Sequence, residues 1–245
     1  LFFELLANNR RILETAKANG LEEEFYKAQN IFKDRASLYD PYANQEDDEV
    51  KTNKYYATYD NMYDYVPLKN LWGQEKPFVF SEAFDKVAAT FGTKRNYVDK
   101  VIIAPYFVPL ASDKIGMALT NLDNKIEFEW NDDNPLVLIS KIVPYLTAVQ
   151  PLLDGNHRAS HAMLQYYLGK AELPAILRNK HLQEHYEAYT NFEKEAITTG
   201  NIDDLIAYYY YNILERQTQI CKELGFNPDN VLTSKLKSIP DKEIV

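Results

Sequence analysis

The chain has 245 residues, with 46% apolar and 26% charged side chains. That balance belongs to a folded globular protein and excludes a disordered or collagen-like chain. A net charge of −9 leaves no general basic footprint for DNA or RNA and disfavours anionic membrane surfaces. One cysteine, Cys221, excludes an intramolecular disulfide and a cysteine-rich zinc site. No apolar run reaches the ~18 residues that would span a bilayer. Eight glycines are few for this length, which favours helices over a turn-rich β fold.

Taken in chain order, Phe2, Leu5, Leu6, Ile12, Leu13 and Ala16 recur at helical spacing, and Asn19-Gly20 stops the helix. The apolar opening is broken by Glu4 and followed by Asn-Asn-Arg-Arg, so it reads as a helix start rather than a signal peptide. The absence of an initiator Met fits a trimmed chain. A second helix carries Leu21, Phe25, Ala28, Ile31 and Phe32 on one face. Residues 40–54 are polar, and Glu46-Asp47-Asp48-Glu49 reads as a solvated run. Tyrosines cluster between Tyr55 and Tyr65 and form an aromatic face. Ser81 is placed to cap a helix closed by Gly92, and Val101–Ala104 is a short strand candidate.

Ile126, Phe128 and Trp130 alternate with Glu127 and Glu129 behind Asn121-Leu122-Asp123-Asn124. That period of two predicts a β-hairpin over 115–130. Asn134-Pro135 then opens a helix with a wide apolar stripe from Leu136 to Val149, with Pro144 inside it. Pro151 ends that helix at Gln150. The next helix runs from about His157 to Leu168, with Ala162, Met163, Tyr166 and Tyr167 inside and Gly169 as its stop. Two more span about 180–198 and 202–223, closed by Gly200 and Gly225. The expected fold is mainly α, one compact unit with a single small hairpin. Residues 1–94 decorate or join a core at 95–225, and 226–245 form a tail.

The polar segment Asp154-Gly155-Asn156-His157-Arg158 sits between two apolar helices. Such a loop opening a helix offers unpaired N–H groups and a favourable dipole to an anion. Gly155 permits close backbone approach, Asn156 caps the helix or shapes the anion pocket, and Arg158 can grip a phosphate. Asp154 is a hard oxygen donor suited to Mg²⁺. The plainer reading is a tight turn with a cap.

Gln150-Pro151-Leu152-Leu153-Asp154-Gly155-Asn156-His157-Arg158 resembles the signature of the Fic/Doc (fido) family, H-P-F-x-[DE]-[GA]-N-[GK]-R-x-x-[GR]. Leu173-Pro174-Ala175-Ile176 and His185-Tyr186-Glu187-Ala188-Tyr189 are similar to the family's L-P-P-I and Y-x-x-A-L stretch. Gly200-Asn201-Ile202-Asp203-Asp204-Leu205-Ile206-Ala207-Tyr208 is similar to its G-D-x-x-P-L-I-x-F ending. The likeness covers roughly 95–215. It implies a Fic-like helical bundle in which the 115–130 hairpin is the flap that docks a protein target. It also implies transfer of AMP, or another phosphate-containing group, from ATP or a related nucleotide-derived donor to a protein hydroxyl. Asp154 would hold Mg²⁺, Gly155 and Asn156 would shape the anion hole, and Arg158 would bind phosphate.

The family's general base falls on Gln150, whose amide cannot take a proton near neutral pH; losing a base typically forfeits ~10²–10⁴ in rate. His157 replaces the small residue after Asn156, and His161 stands at the second arginine position. Either imidazole has a suitable pKa range for a relocated base, and ordinary helix positions are the plainer reading. His181 and His185, four apart, lack a third ligand signal for a metal site. The self-inhibitory [ST]-x-x-x-E-[GN] pattern of the family is absent from the sequence. Three readings follow: an altered transferase, an impaired Fic-like module that binds a nucleotide or a protein, and a helical binding module that uses the hairpin edge. A cytoplasmic regulator and a secreted effector acting in a host cytosol fit the first two equally.

Overall fold

The computed structural model describes residues 1–30, 71–72, 112–130, 134–152, 156–176 and 178–233. Their helices are α1 (Phe2–Ala18), α2 (Glu22–Gln29), α3 (Ser112–Glu129), α4 (Pro135–Val149), α5 (Asn156–Lys170), α6 (Arg178–Thr199), α7 (Asp203–Glu223) and α8 (Pro228–Val231). Leu71 and Trp72 are helical as well, and no strand occurs among the described residues. No helix among these residues is long and apolar enough to cross a membrane.

Helix α4 is the centre of the bundle. Only Pro135, Val137 and Lys141 of it escape full burial, as expected for a helix that is apolar nearly all round. It packs against α3, α5, α6 and α7. Pro135 occupies the first turn and Asn134 the cap position, as the sequence predicts, but no Asn134 side-chain bond caps the helix. At the other end Gln150 turns left-handed, with φ 52° and ψ 58°, and its N–H bonds to Leu146 O. Pro151 then forbids another helical turn.

Helix α7 provides the second support. It packs on α1, α2, α4, α6 and α8. Leu205, Ile206, Tyr208, Tyr209, Ile213 and Leu214 join the main core with α4. A smaller core at its far end gathers Ile12, Ala16, Phe25, Ala28, Ile220, Cys221, Val231 and Leu232. Arg216 beside it is 3% exposed. Its guanidinium donates to Ala28 O at 2.6 Å and to Glu223 Oε1 at 2.9 Å, so α2 is tied to α7. Gly200 and Gly225 take positive φ beyond α6 and α7, as the stop signals predict.

The predicted hairpin at 115–130 is incorrect: these residues lie in helix α3 and its end. Ala118, Leu122 and Ile126 are buried, at the i, i+4, i+8 spacing of one helical stripe. The Phe128 ring, which the strand reading set beside Ile126, is 81% exposed. Five alternating residues are a weaker constraint than a buried stripe more than two turns long on a helix that packs on α4.

A second correction concerns α5. Ala162 and Tyr166 face outward and Met163 is half-buried; the buried stripe is Ser160, His161, Leu164, Tyr167 and Leu168. Gly169 does not stop the helix. The reversal falls on Glu172, at φ 58°, with Leu173 N–H bonding back to Leu168 O at 2.9 Å. Asn9 Nδ2 donates to Glu172 O at 2.7 Å, which holds the reversal from α1. The segments at 40–54, 55–65, 81–92, 101–104 and 234–245, and with them their sequence readings, lie outside the described residues.

Candidate functional site

The connection between α4 and α5 begins with the left-handed Gln150. Its side chain is engaged at both ends. Nε2 donates to Thr147 O, and Oε1 accepts from Asn156 Nδ2 at 2.8 Å. Asn156 opens α5 and is almost fully buried. Its second Nδ2 hydrogen goes to Leu152 O at 2.7 Å, and its Oδ1 accepts from Leu152 N–H at 2.8 Å. Asn156 therefore closes the loop on itself, binding Gln150 and both polar groups of the Leu152 backbone. The Leu152 side chain, held at this turn, is 50% exposed.

Below the loop lies a buried polar cluster. Thr147 of α4, Ser160 of α5 and Glu193 of α6 are each 2% exposed or less. Thr147 Oγ1 donates to Glu193 Oε1 at 2.8 Å and lies 3.2 Å from Ser160 Oγ. Ser160 Oγ donates to Asn156 O at 2.9 Å. The links run Thr147–Gln150–Asn156–Ser160 and back to Thr147, with the Glu193 carboxyl joined through the threonine. Side chains from three helices thus fix the loop.

The imidazole of His161 faces inward. It lies against Tyr189, with ring centroids 5.6 Å apart. Tyr189 packs in turn on Tyr208 at 5.4 Å. Burial pushes the Tyr189 and Tyr209 hydroxyls well above the ordinary tyrosine range, and the neighbouring Glu193 carboxyl adds to both shifts. Both stay protonated throughout the neutral range. Tyr145 of α4, whose hydroxyl donates to Ala118 O, is pushed up to about 12 by burial alone.

Of the predicted site residues the structure joins Gln150 to Asn156, and Arg158 and His161 follow in the first two turns of α5. Arg158 is half-buried in the first turn of α5. Asp154 and Gly155 lie outside the described residues, and of His157 the backbone alone is described. The Mg²⁺ and anion-hole expectations for those residues rest on sequence alone. Asn156 does not suit the anion-hole role in this arrangement. Both its N–H hydrogens are already donated within the loop, so an anion could recruit it only by breaking the Gln150 or the Leu152 contact. Among the described residues no group of three or more His, Cys, Asp or Glu side chains is placed to share a metal ion.

Sequence reasoning missed Thr147, Ser160 and Glu193. A signal existed for the last. Glu193 stands in a stripe with Tyr189, Ala196 and Ile197, all buried, and a carboxylate in such a stripe demands a partner.

No family model, no curated protein and no solved structure matches the chain.

Proposed function

We propose that the chain is a Fic-like module that binds a phosphate-bearing, nucleotide-derived ligand at the loop 150–158 without performing histidine-dependent AMP transfer. The observation that carries this reading is the state of Gln150. The residue at the position of the family's base is a glutamine whose amide is bonded to Thr147 O and to Asn156. It has no proton-accepting capacity near neutral pH, and its polar ends are turned into the loop. Binding is supported by Arg158 in the first turn of α5, where the helix dipole and unpaired N–H groups favour an anion. Mg²⁺ held through Asp154 would accompany the phosphates, supplying charge neutralisation.

The retained Asp154-Gly155-Asn156 and Arg158 favour a second reading, in which the same site transfers a phosphate-containing group to a protein hydroxyl with altered chemistry. Docking of the protein target at a hairpin 115–130 is withdrawn from both readings, because that segment is helix α3.

Thermal unfolding with ATP, GTP, UTP and CDP-choline, each with and without Mg²⁺, tests the proposal. A ligand at ~100 times its dissociation constant stabilises the fold by about 2.7 kcal/mol. That raises the melting point of a chain this size by about 5–10 °C. Arg158→Ala should abolish the shift. Label transfer from the stabilising donor to protein would replace the binding-module reading by the transferase. The absence of any shift with every donor would remove phosphate binding altogether.

A further inference from the structure

Helix α1 ends on the sequence's one Asn-Gly pair, Asn19-Gly20. Gly20 turns left-handed at φ 71°. Its N–H donates to Lys17 O at 3.1 Å, and Leu21 N–H donates to Ala16 O at 2.8 Å. Those two bonds make a Schellman turn, which satisfies carbonyls that the helix end would otherwise strand. The Asn19 side chain belongs to the same closure, with Nδ2 donating to Thr15 O at 2.8 Å. On the inner side Ala16 and Leu21 pack into the small core with Phe25 and Ile220. The outer side faces water, since Asn19 and Gly20 are both exposed.

An asparagine followed by glycine carries its own reaction. No side chain on Gly20 hinders its backbone nitrogen. Once that nitrogen has given its proton to solvent, it attacks Asn19 Cγ. The Cγ–Nδ2 bond breaks, and Nδ2 takes a proton from solvent and leaves as ammonia. Water then opens the five-membered imide. Opening at Cγ gives aspartate; opening at the Asn19 backbone carbonyl gives isoaspartate, with the main chain rerouted through Cβ and Cγ. One water is consumed, one ammonia is released, and nothing is oxidised or reduced. The fold opposes the first step. Ring closure requires the Gly20 nitrogen to eclipse Asn19 Cβ. At the observed ψ of 7° it eclipses the Asn19 nitrogen instead, a third of a turn away on the tetrahedral Cα. Rotating it into place withdraws the Gly20 N–H from Lys17 O, and the turn opens.

We propose that Asn19 is a deamidation site gated by this turn. The reaction is suppressed while the Schellman turn is closed and proceeds when the α1–α2 junction opens. Its product then loosens the junction. Aspartate loses the donor to Thr15 O and sets a carboxylate against the last carbonyls of α1, where the helix dipole disfavours negative charge. Isoaspartate lengthens the main chain within the turn and shifts the spacing of its two bonds. The site stands apart from the loop 150–158 and from any ligand bound there.

The test incubates the full chain at pH 8, folded and in guanidinium chloride, and follows amide-to-acid conversion at Asn19 by peptide mass spectrometry. Conversion in denaturant should outpace that in the folded chain by at least ~10-fold, because local opening limits the folded-state rate. Phe25→Ala keeps the Asn-Gly pair and removes a ring of α2 that is buried in the small core. In the folded chain it should accelerate conversion by the same factor as hydrogen exchange at Leu21 N–H. Phe25→Leu takes its place if the alanine variant does not fold. Asn19→Asp copies one product and should exchange the Leu21 N–H faster than the wild type. Equal conversion rates in the folded and denatured chain would overturn the proposal, as would denatured chain that leaves Asn19 intact. So would a Phe25 variant whose Leu21 exchange accelerates without faster conversion, or unchanged Leu21 exchange in Asn19→Asp.

Discussion

Replacing Asn156 by alanine removes three hydrogen bonds at one stroke: to Gln150 Oε1, to Leu152 O and from Leu152 N–H. Each is worth about 1 kcal/mol net, which sets a ceiling of about 3 kcal/mol. Leu152 is half-exposed and Gln150 only partly buried, so water recovers part of what the stranded groups lose. The expected cost is about 2 kcal/mol, or a fall in melting point of ~4–8 °C for a chain of this size. Asn156→Asp is the sharper companion. It keeps the acceptor for Leu152 N–H but loses both donors, and sets a carboxylate beside Gln150 Oε1 and Leu152 O. It should be no more stable than alanine at pH 7 and should recover toward pH 4, where a protonated aspartate can donate again. Urea titration with a fixed m-value gives the free energies. Wild-type stability in Asn156→Ala, within ~0.5 kcal/mol, would refute the closed loop and return Asn156 to the role of a free anion donor.

Three further outcomes test the fold around that loop. Ile126→Ala should cost about 2–4 kcal/mol and Phe128→Ala less than ~0.5 kcal/mol, because Ile126 is buried and Phe128 is 81% exposed; equal costs in urea would restore the strand reading. Arg216→Met should cost about 2–3 kcal/mol through the loss of its bonds to Ala28 O and Glu223, with faster hydrogen exchange in α2; an unaffected α2 would sever that link. Burial pushes the Cys221 thiol up to about 11. Iodoacetamide should label it at pH 8 at least ~100-fold more slowly than an exposed thiol with pKa ~8.5, since the thiolate reacts, and at full speed in denaturant.

Where local chemistry and tertiary packing agree, the sequence is readable. Asn134-Pro135, the apolar stripe and Gln150-Pro151 delimit α4 because each signal acts within a few residues. Gly200 and Gly225 mark the ends of α6 and α7 for the same reason. The failure at α3 is of another kind. Ile126, Phe128 and Trp130 alternate, yet Trp130 does not join a strand face: its ring meets Tyr167 of α5 at 5.5 Å and lies under Lys170 Nζ at 4.3 Å. No local pattern foretells those partners, which lie some 40 residues on. Tyr166 likewise counted as core on hydrophobicity alone, though its position on α5 points away from α4. At the loop, the motif set Gln150 at the position of a base and Asn156 in an anion hole. Their bond to each other depends on the left-handed turn at Gln150, a backbone feature that composition does not announce.

Glutamine at position 150 has a consequence that links the two levels of the site. It must donate to Thr147 O and accept from Asn156 at once, and an uncharged amide does both at every pH. Glutamate keeps the shape and removes the donor. In Gln150→Glu an ionised carboxylate still accepts from Asn156 but confronts the Thr147 carbonyl, so its proton is held more tightly in the folded chain than in the unfolded one. Stability is then intact below the unfolded pKa of ~4.3 and declines as pH rises through the folded value. At pH 7 the loss should reach about 1–2 kcal/mol, and at pH 4 it should nearly vanish. A pH-independent deficit in Gln150→Glu would mean that the amide donor to Thr147 contributes nothing, and that Asn156 alone closes the turn.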